Sequence, residues 1–285
     1  MKVDRHELKG TPEHLLSFFA EAARSDKEAE KKKWLGGGLL GCGCLALFFL
    51  WPLVIGSFVA LFSLQFNGAT AGGILVSALV LAALIGGFRI FKQASEHDLD
   101  DQRLALVQAV LKHLSVDLPT GKELDLVVDF RATDTSSFLQ TGDVNTGSFS
   151  QPWLKLQGRF LDGTAFSIGI DQLIKKKTKY KRKGSKIKRK VAERLTVELK
   201  ASPRAYPDLS TINNFLGNPP ARLRTATVKG AGPRLKAVFL TQQAMPYVEP
   251  ATVGVSQADT LLEGLVFLYR GMRRLKADSI PSPDA

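Results

Sequence analysis

Cysteine is almost missing. Cys42 and Cys44 are the only two in 285 residues, and both lie in an apolar stretch, which excludes a disulfide framework as the support of a soluble part. In a helix, positions i and i+2 point to different faces, so the pair makes a poor metal or disulfide site. The plain reading is small residues packed in lipid, and palmitoylation near the interface is the alternative. Histidine is also scarce: His6, His14, His97 and His113 are scattered, with no HExxH and no Cys/His ligand spacing, so no metal site is expected. Gly-x-Ser-x-Gly, P-loop and Rossmann signatures do not occur. Of the carboxylates Asp129, Asp134, Asp162 and Asp171, the third belongs to a turn and the others to strand faces or ends. Neither an enzyme nor a cofactor is expected.

Charge is absent from Trp34 to Phe88, more than twice the ~20 residues that one bilayer-spanning helix requires. More than thirty mostly polar residues precede this run, which argues against a cleaved signal peptide. Polar residues concentrate at Gln65 to Thr70 around Asn67-Gly68, a turn signal. The expectation is a transmembrane hairpin within residues 34–92, with helices over about 39–62 and 71–91. Pro52 should kink the first helix. Gly37, Gly41, Gly72, Gly73, Gly86 and Gly87 are the candidate helix-packing positions, because small residues let helices approach closely in lipid. They would join the two helices to each other or to another copy, giving a homo-oligomer. Lys31, Lys32 and Lys33 before the first helix, and Arg89 and Lys92 after the second, flank an uncharged loop, so both termini should be cytoplasmic at a cell membrane. No ionisable group lies inside the spans, which speaks against a transporter or pump.

Residues 1–33 form the expected cytoplasmic N-terminal helix, amphipathic and charged. Thr11-Pro12 marks a helix start, and Leu15, Phe18, Phe19 and Ala22 make an apolar stripe. Residues 98–276 are expected to be an α+β domain, a mostly antiparallel sheet covered by helices Asp98–Leu118 and Ser256–Lys276. Leu124, Leu126, Val128 and Phe130 alternate with polar residues in the first strand. Around Leu161-Asp162-Gly163, a three-residue loop sets Phe166 opposite Gly158 and Ile168 opposite Leu156, keeping apolar residues on one face. Further strands are expected at Glu193 to Lys200, Arg222 to Lys229 and Arg234 to Thr241. Residues 277–285 are expected to be a disordered tail.

Between Lys175 and Lys190 acidic residues are missing altogether, while eleven of the sixteen positions are basic: Lys175, Lys176, Lys177, Lys179, Lys181, Arg182, Lys183, Lys186, Lys188, Arg189 and Lys190. The whole chain carries a net +12, so this segment generates nearly all of the basic balance. Its place between two strands, with Gly184-Ser185 central, predicts a projecting β-hairpin with Lys183 opposite Lys186, Ile170 opposite Leu199 and Ile174 opposite Leu195. Cations then face cations, and the tip should fray unless an anion neutralises it. A solvated loop is the bland reading. Acidic phospholipid is the expected partner because the anchor holds the domain near the headgroups. Nucleic acid ranks second, since only Tyr180 interleaves the run and stacking platforms are lacking. The sequence therefore reads as a membrane-anchored binding or regulatory module with a further surface for a protein partner. The alternatives are a membrane-tethered nucleic-acid binder and an oligomeric effector or pore governed by the soluble domain.

Overall fold

The computed structural model describes residues 3–62, 68–95, 99–181, 184–202, 206, 208–241 and 253–278. By its contacts the chain divides into two units. One comprises Met1–Val3 and Glu21–Leu99, and the other Asp4–Ala20 and Asp100–Ala285.

The first unit is helical. Helix α1 runs over Pro12–Phe62, its opening turns belonging to the second unit, and helix α2 over Gly68–Ser95. The amphipathic segment and the expected first span are thus one continuous helix. Glu, Lys and Ala dominate residues 21–33 and are strong helix formers. Gly36, Gly37 and Gly38 each cost about 1 kcal/mol against alanine, yet no cap or proline accompanies them, and the helix also continues through Pro52. Among the described residues one helical stretch, Ala78–Ser95, meets both length and apolarity for crossing a membrane, with mean hydropathy 1.3. The turn residues Gln65, Phe66 and Asn67 lie outside the described residues. Asp26, buried on α1, accepts the Leu99 N–H at 2.7 Å.

The second unit is α+β. Its antiparallel sheet contains β1 (Arg5–Gly10), β2 (Leu124–Asp129), β3 (Leu139–Thr141), β4 (Ser148–Arg159), β5 (Ala165–Lys181), β6 (Gly184–Lys200), β7 (Leu223–Ala231) and β8 (Arg234–Thr241). The order across it is β1-β2-β4-β5-β6-β8-β7, with β3 paired to β4. Arg5–Gly10 form a strand and are not part of the expected N-terminal helix: Arg5, Glu7 and Lys9 alternate with His6, Leu8 and Gly10, and β1 pairs with β2. Helices α3 (Asp101–Leu114) and α4 (Val253–Asp278) complete the unit. Asp100 caps α3, its side chain accepting the N–H groups of Gln102 and Arg103, as an acidic start favours. Helix α4 takes in the first two residues of the expected tail, and residues 279–285 lie outside the described set.

One sheet face is buried. Leu126, Val128, Leu156, Ile168, Leu195, Val197 and Phe239 are at most 3% exposed, as are Val107 and Leu111 of α3 and Leu261, Leu268 and Met272 of α4. Each such side chain contributes about 1.5–3 kcal/mol on leaving water. A Cβ on Gly264 would sit 3.2 Å from Leu223 and 3.6 Å from Leu195, so α4 lies directly on the strands. The β4–β5 register is the expected one, with Gly158 opposite Phe166 and Leu156 opposite Ile168, and Gly163 takes the left-handed φ of +83° that this loop needs.

Candidate basic ribbon

Strands β5 and β6 outrun their neighbours. Pairing of β4 with β5 ends at Ser148–Lys175, and pairing of β8 with β6 ends at Thr241–Glu193. Beyond those points, among the described residues, the two strands pair only with each other, to Lys181–Gly184. The six residues Lys176–Lys181 extend ~20 Å at ~3.3 Å each. The hairpin was legible, but its register differs from the expected one by four positions on one strand. Ile170 pairs with Leu195 and Ile174 with Val191. The shift is even, so every side chain keeps its face, and it adds Phe166–Leu199 and Ile168–Val197 as apolar pairs at the base. Gly184 and Ser185, expected at the turn, accordingly lie within β6, opposite Lys181 and Tyr180, and Arg182 and Lys183 lie outside the described residues.

This register sorts the cations by face. Lys175 stands opposite Lys190 and Lys177 opposite Lys188, all four exposed, and the same alternating row continues through positions Lys179, Lys186 and Lys181. It lies on the side of the sheet away from the helices, since its positions alternate with those of the buried Ile168 and Ile170. None of the four exposed lysines has an acidic partner among the described residues.

The other face is braced. Lys176 stands opposite Arg189, and both bind Asp134: Lys176 Nζ at 3.0 Å, and Arg189 through its guanidinium. Lys176, only 8% exposed, also donates to the Val144 carbonyl at 3.2 Å and lies 5.1 Å from the Phe149 ring centroid. The Thr178 hydroxyl donates to the Asn145 carbonyl at 3.1 Å, and the Lys176 N–H to the Gly147 carbonyl at 2.9 Å. The brace combines Asp134, from the connection between β2 and β3, with the chain between β3 and β4, which is closed by Asp143, whose carboxylate accepts the N–H groups of Asn145 and Thr146. Gly147 has no substitute, because a Cβ there would fall 2.4 Å from the Asp143 carbonyl oxygen. Burial pushes the Asp134 carboxyl up, but the hydrogen bond from Lys176 and the charges of Arg189 and Lys176 outweigh it, holding the group below the ordinary carboxylate value.

A second cationic cluster is of a different kind. Arg103 of α3, 6% exposed, donates to the carbonyls of Asp129 (2.7 Å) and Arg131 (3.0 Å), to Thr133 Oγ1 (2.9 Å), and to the Oε1 atoms of Gln151 (3.0 Å) and Gln172 (2.8 Å). Its Nε faces Asp100 at 3.4 Å. Burial lowers its pKa, opposed by the charges of Asp100, Asp129 and Glu193. The guanidinium ties α3 to β2, β4 and β5 and is a structural stitch. Sequence reading missed it, because a single Arg in an amphipathic helix carries no signal of what lies beneath.

In the first unit the close approach falls on Gly36 and Gly87. A Cβ on Gly36 would lie 2.9 Å from the Phe91 nitrogen and 3.0 Å from the Gly87 oxygen, and one on Gly87 would lie 3.2 Å from the Gly36 oxygen. Gly37, Gly41 and Gly86 meet nothing within 4 Å, so of these and Gly87 only Gly87 joins the two helices. Gly72 and Gly73 lie within α2. No group of three or more His, Cys, Asp or Glu residues placed to hold a metal occurs among the described residues.

No family model, no curated protein and no solved structure matches this chain.

Proposed function

We propose that this chain is a membrane-anchored binding module whose ribbon, Lys175–Lys190, engages acidic phospholipid headgroups at the cytoplasmic leaflet. The observation that carries the reading is the row of unpaired lysines on one face of a ribbon whose other face is braced. Like charges directly across a ladder destabilise it. An opposing anionic surface removes that penalty, and each Lys at an acidic membrane contributes about 1 kcal/mol.

The anchor is the two-span hairpin of α1 and α2. At ~1.5 Å per residue, the 51 residues of α1 extend ~76 Å, so only its uncharged part belongs in a ~30 Å hydrocarbon layer. Trp34, Leu45, Leu79, Leu81 and Phe88 are between 58% and 81% exposed, an apolar surface that lipid covers and water penalises. Lys31–Lys33, Arg89 and Lys92 place both termini in the cytoplasm. With Cys42 and Cys44 replaced by serine, a cysteine at position 67 should react with an impermeant thiol reagent in intact cells, and one at position 202 only after lysis. The reverse pattern would overturn this orientation.

The arm is tested on the full chain, because a fragment starting after the anchor would lack strand β1. The protein is reconstituted into nanodiscs of neutral lipid and of acidic lipid, and backbone hydrogen exchange is followed in β5 beyond Lys175 and β6 before Ala192. Acidic lipid should slow exchange there, and high salt should restore it as the Debye length falls from ~8 Å toward ~3 Å. Equal exchange in the two lipids rejects the reading. A stronger effect from RNA at matched salt assigns the ribbon to nucleic acid.

A further inference from the structure

Resting on the phospholipid reading of the ribbon, we infer that the same sheet face carries a second contact for acidic headgroups at the far end of β6, formed by Arg159, Lys200, Arg234 and Lys229, so that the domain holds the leaflet at two places. Register places these residues together. Arg159 stands opposite Ala165, Ala165 opposite Lys200, and Lys200 opposite Arg234, making one row across β4, β5, β6 and β8. Neighbouring strands are ~4.8 Å apart, so Arg159 and Lys200 flank a side chain of one methyl and leave an open gap between two cations. In the next row Lys229 stands opposite Lys236.

All of these cations are exposed. Glu198, the acidic residue closest in register, is engaged by Lys236 at 2.5 Å. Arg159, Lys200, Arg234 and Lys229 have no acidic partner among the described residues. The like-charge opposition seen in the ribbon therefore recurs, in the β6–β8 and β7–β8 ladders, where Lys200 faces Arg234 and Lys229 faces Lys236. Two clusters with the same unfavourable geometry on one face point to one kind of partner.

Both clusters lie on the same side of β6, because its pairing with β5 and with β8 contains no bulge and an uninterrupted strand does not exchange its faces. Between Lys190 and Lys200 the strand advances ~33 Å. Between the clusters, Asp171 is engaged by Arg194 at 2.5 Å, so the midsection is nearly neutral. No aromatic residue occupies this face among the described residues, which leaves bases nothing to stack on and favours recognition of phosphate charge alone. Two contacts on one rigid sheet act at high effective concentration, so each strengthens the other.

The experiment uses the full chain in nanodiscs of neutral or acidic phospholipid, labelled briefly with an amine-reactive reagent and read residue by residue by mass spectrometry. In acidic discs Lys200 and Lys229 should label about tenfold more slowly than in neutral ones, together with Lys175 and Lys177, as one to two headgroup contacts each predict. Lys112, exposed on α3, should label equally in both. Protection of Lys175 and Lys177 with Lys200 and Lys229 unchanged overturns the second contact and leaves the ribbon reading standing. Protection of none of them overturns both. Equal protection of Lys112 overturns the face assignment, and stronger protection of Lys200 and Lys229 by RNA in neutral discs transfers the face to nucleic acid.

Discussion

Arg103 and the lysine row show two ways in which one domain holds cations. Arg103 is a single charge, nearly removed from water, whose donors meet five uncharged acceptors and one carboxylate. The row presents Lys175, Lys177, Lys188 and Lys190 to solvent with no acidic partner among the described residues, two and two across a ladder. A charge that is buried must be satisfied within the fold, whereas one that is left unsatisfied must remain at the surface, where something else can satisfy it. Asp134 lies between the two cases, because its one carboxylate is shared by Lys176 and Arg189 on the ribbon's inner face, leaving the outer row as the face open to a partner.

The largest effect expected from breaking this contrast is at Arg103. Arg103→Met removes the donor from a group of buried acceptors and should cost about 3–5 kcal/mol, read as a lower denaturation midpoint of the second unit. Arg103→Lys should recover only part of this, because an ammonium cannot reproduce the planar fork. A variant as stable as the parent would remove Arg103 from its role.

The filled-against-open contrast recurs in the glycines of α1 and α2. Gly87→Leu places atoms against the Gly36 backbone and should cost about 1–3 kcal/mol of helix contact, visible as faster proteolysis within α1 and α2 of the detergent-solubilised full chain. Gly41→Leu, with nothing within 4 Å, should leave that rate unchanged. The opposite ranking would show that α1 and α2 do not meet at Gly36 and Gly87.

A smaller effect is expected at Asp134. Asp134→Asn keeps the shape and loses the charge between Lys176 and Arg189, for about 1–2 kcal/mol, with faster amide exchange at Lys176 and Thr178. Acidification should act in the same sense. The folded carboxyl is held below its unfolded value near ~3.9, so the stabilisation is complete above that value and is lost as pH falls through the lower folded one. Exchange at the ribbon root should therefore rise below about pH 4 in the parent and stay flat in the variant.

Much of the architecture was legible because periodicity reports it directly. The alternation in Leu124 to Asp129, the Gly163 loop and its register, and the α4 stripe all follow from local pattern. β1 was missed although Arg5 to Gly10 alternates, because the Thr11-Pro12 helix start drew the reading of the N-terminal residues. The ribbon register was misplaced because Gly184-Ser185 looks like a turn, while the pairs that fix the alignment, Phe166 with Leu199 and Ile168 with Val197, lie far from it in the ladder. The segregation of the lysines by face holds in either register, because an even shift exchanges no faces, and only the pairs Lys175–Lys190 and Lys177–Lys188 depend on the observed one. The Asp134 brace and the Arg103 stitch join positions far apart in sequence, and no local pattern announces them.

The most direct test of the central claim compares lipid retained by the detergent-solubilised full chain with that of the variant carrying Lys175→Gln, Lys177→Gln, Lys188→Gln and Lys190→Gln, by native mass spectrometry. Relieving two like-charge pairs should leave stability equal or raise it by a few tenths of a kcal/mol per pair. The parent should retain acidic phospholipid in excess over its share of the membrane, and the variant should retain it only in proportion. Equal retention by the two proteins, or nucleic acid in place of lipid on the parent, would contradict the account.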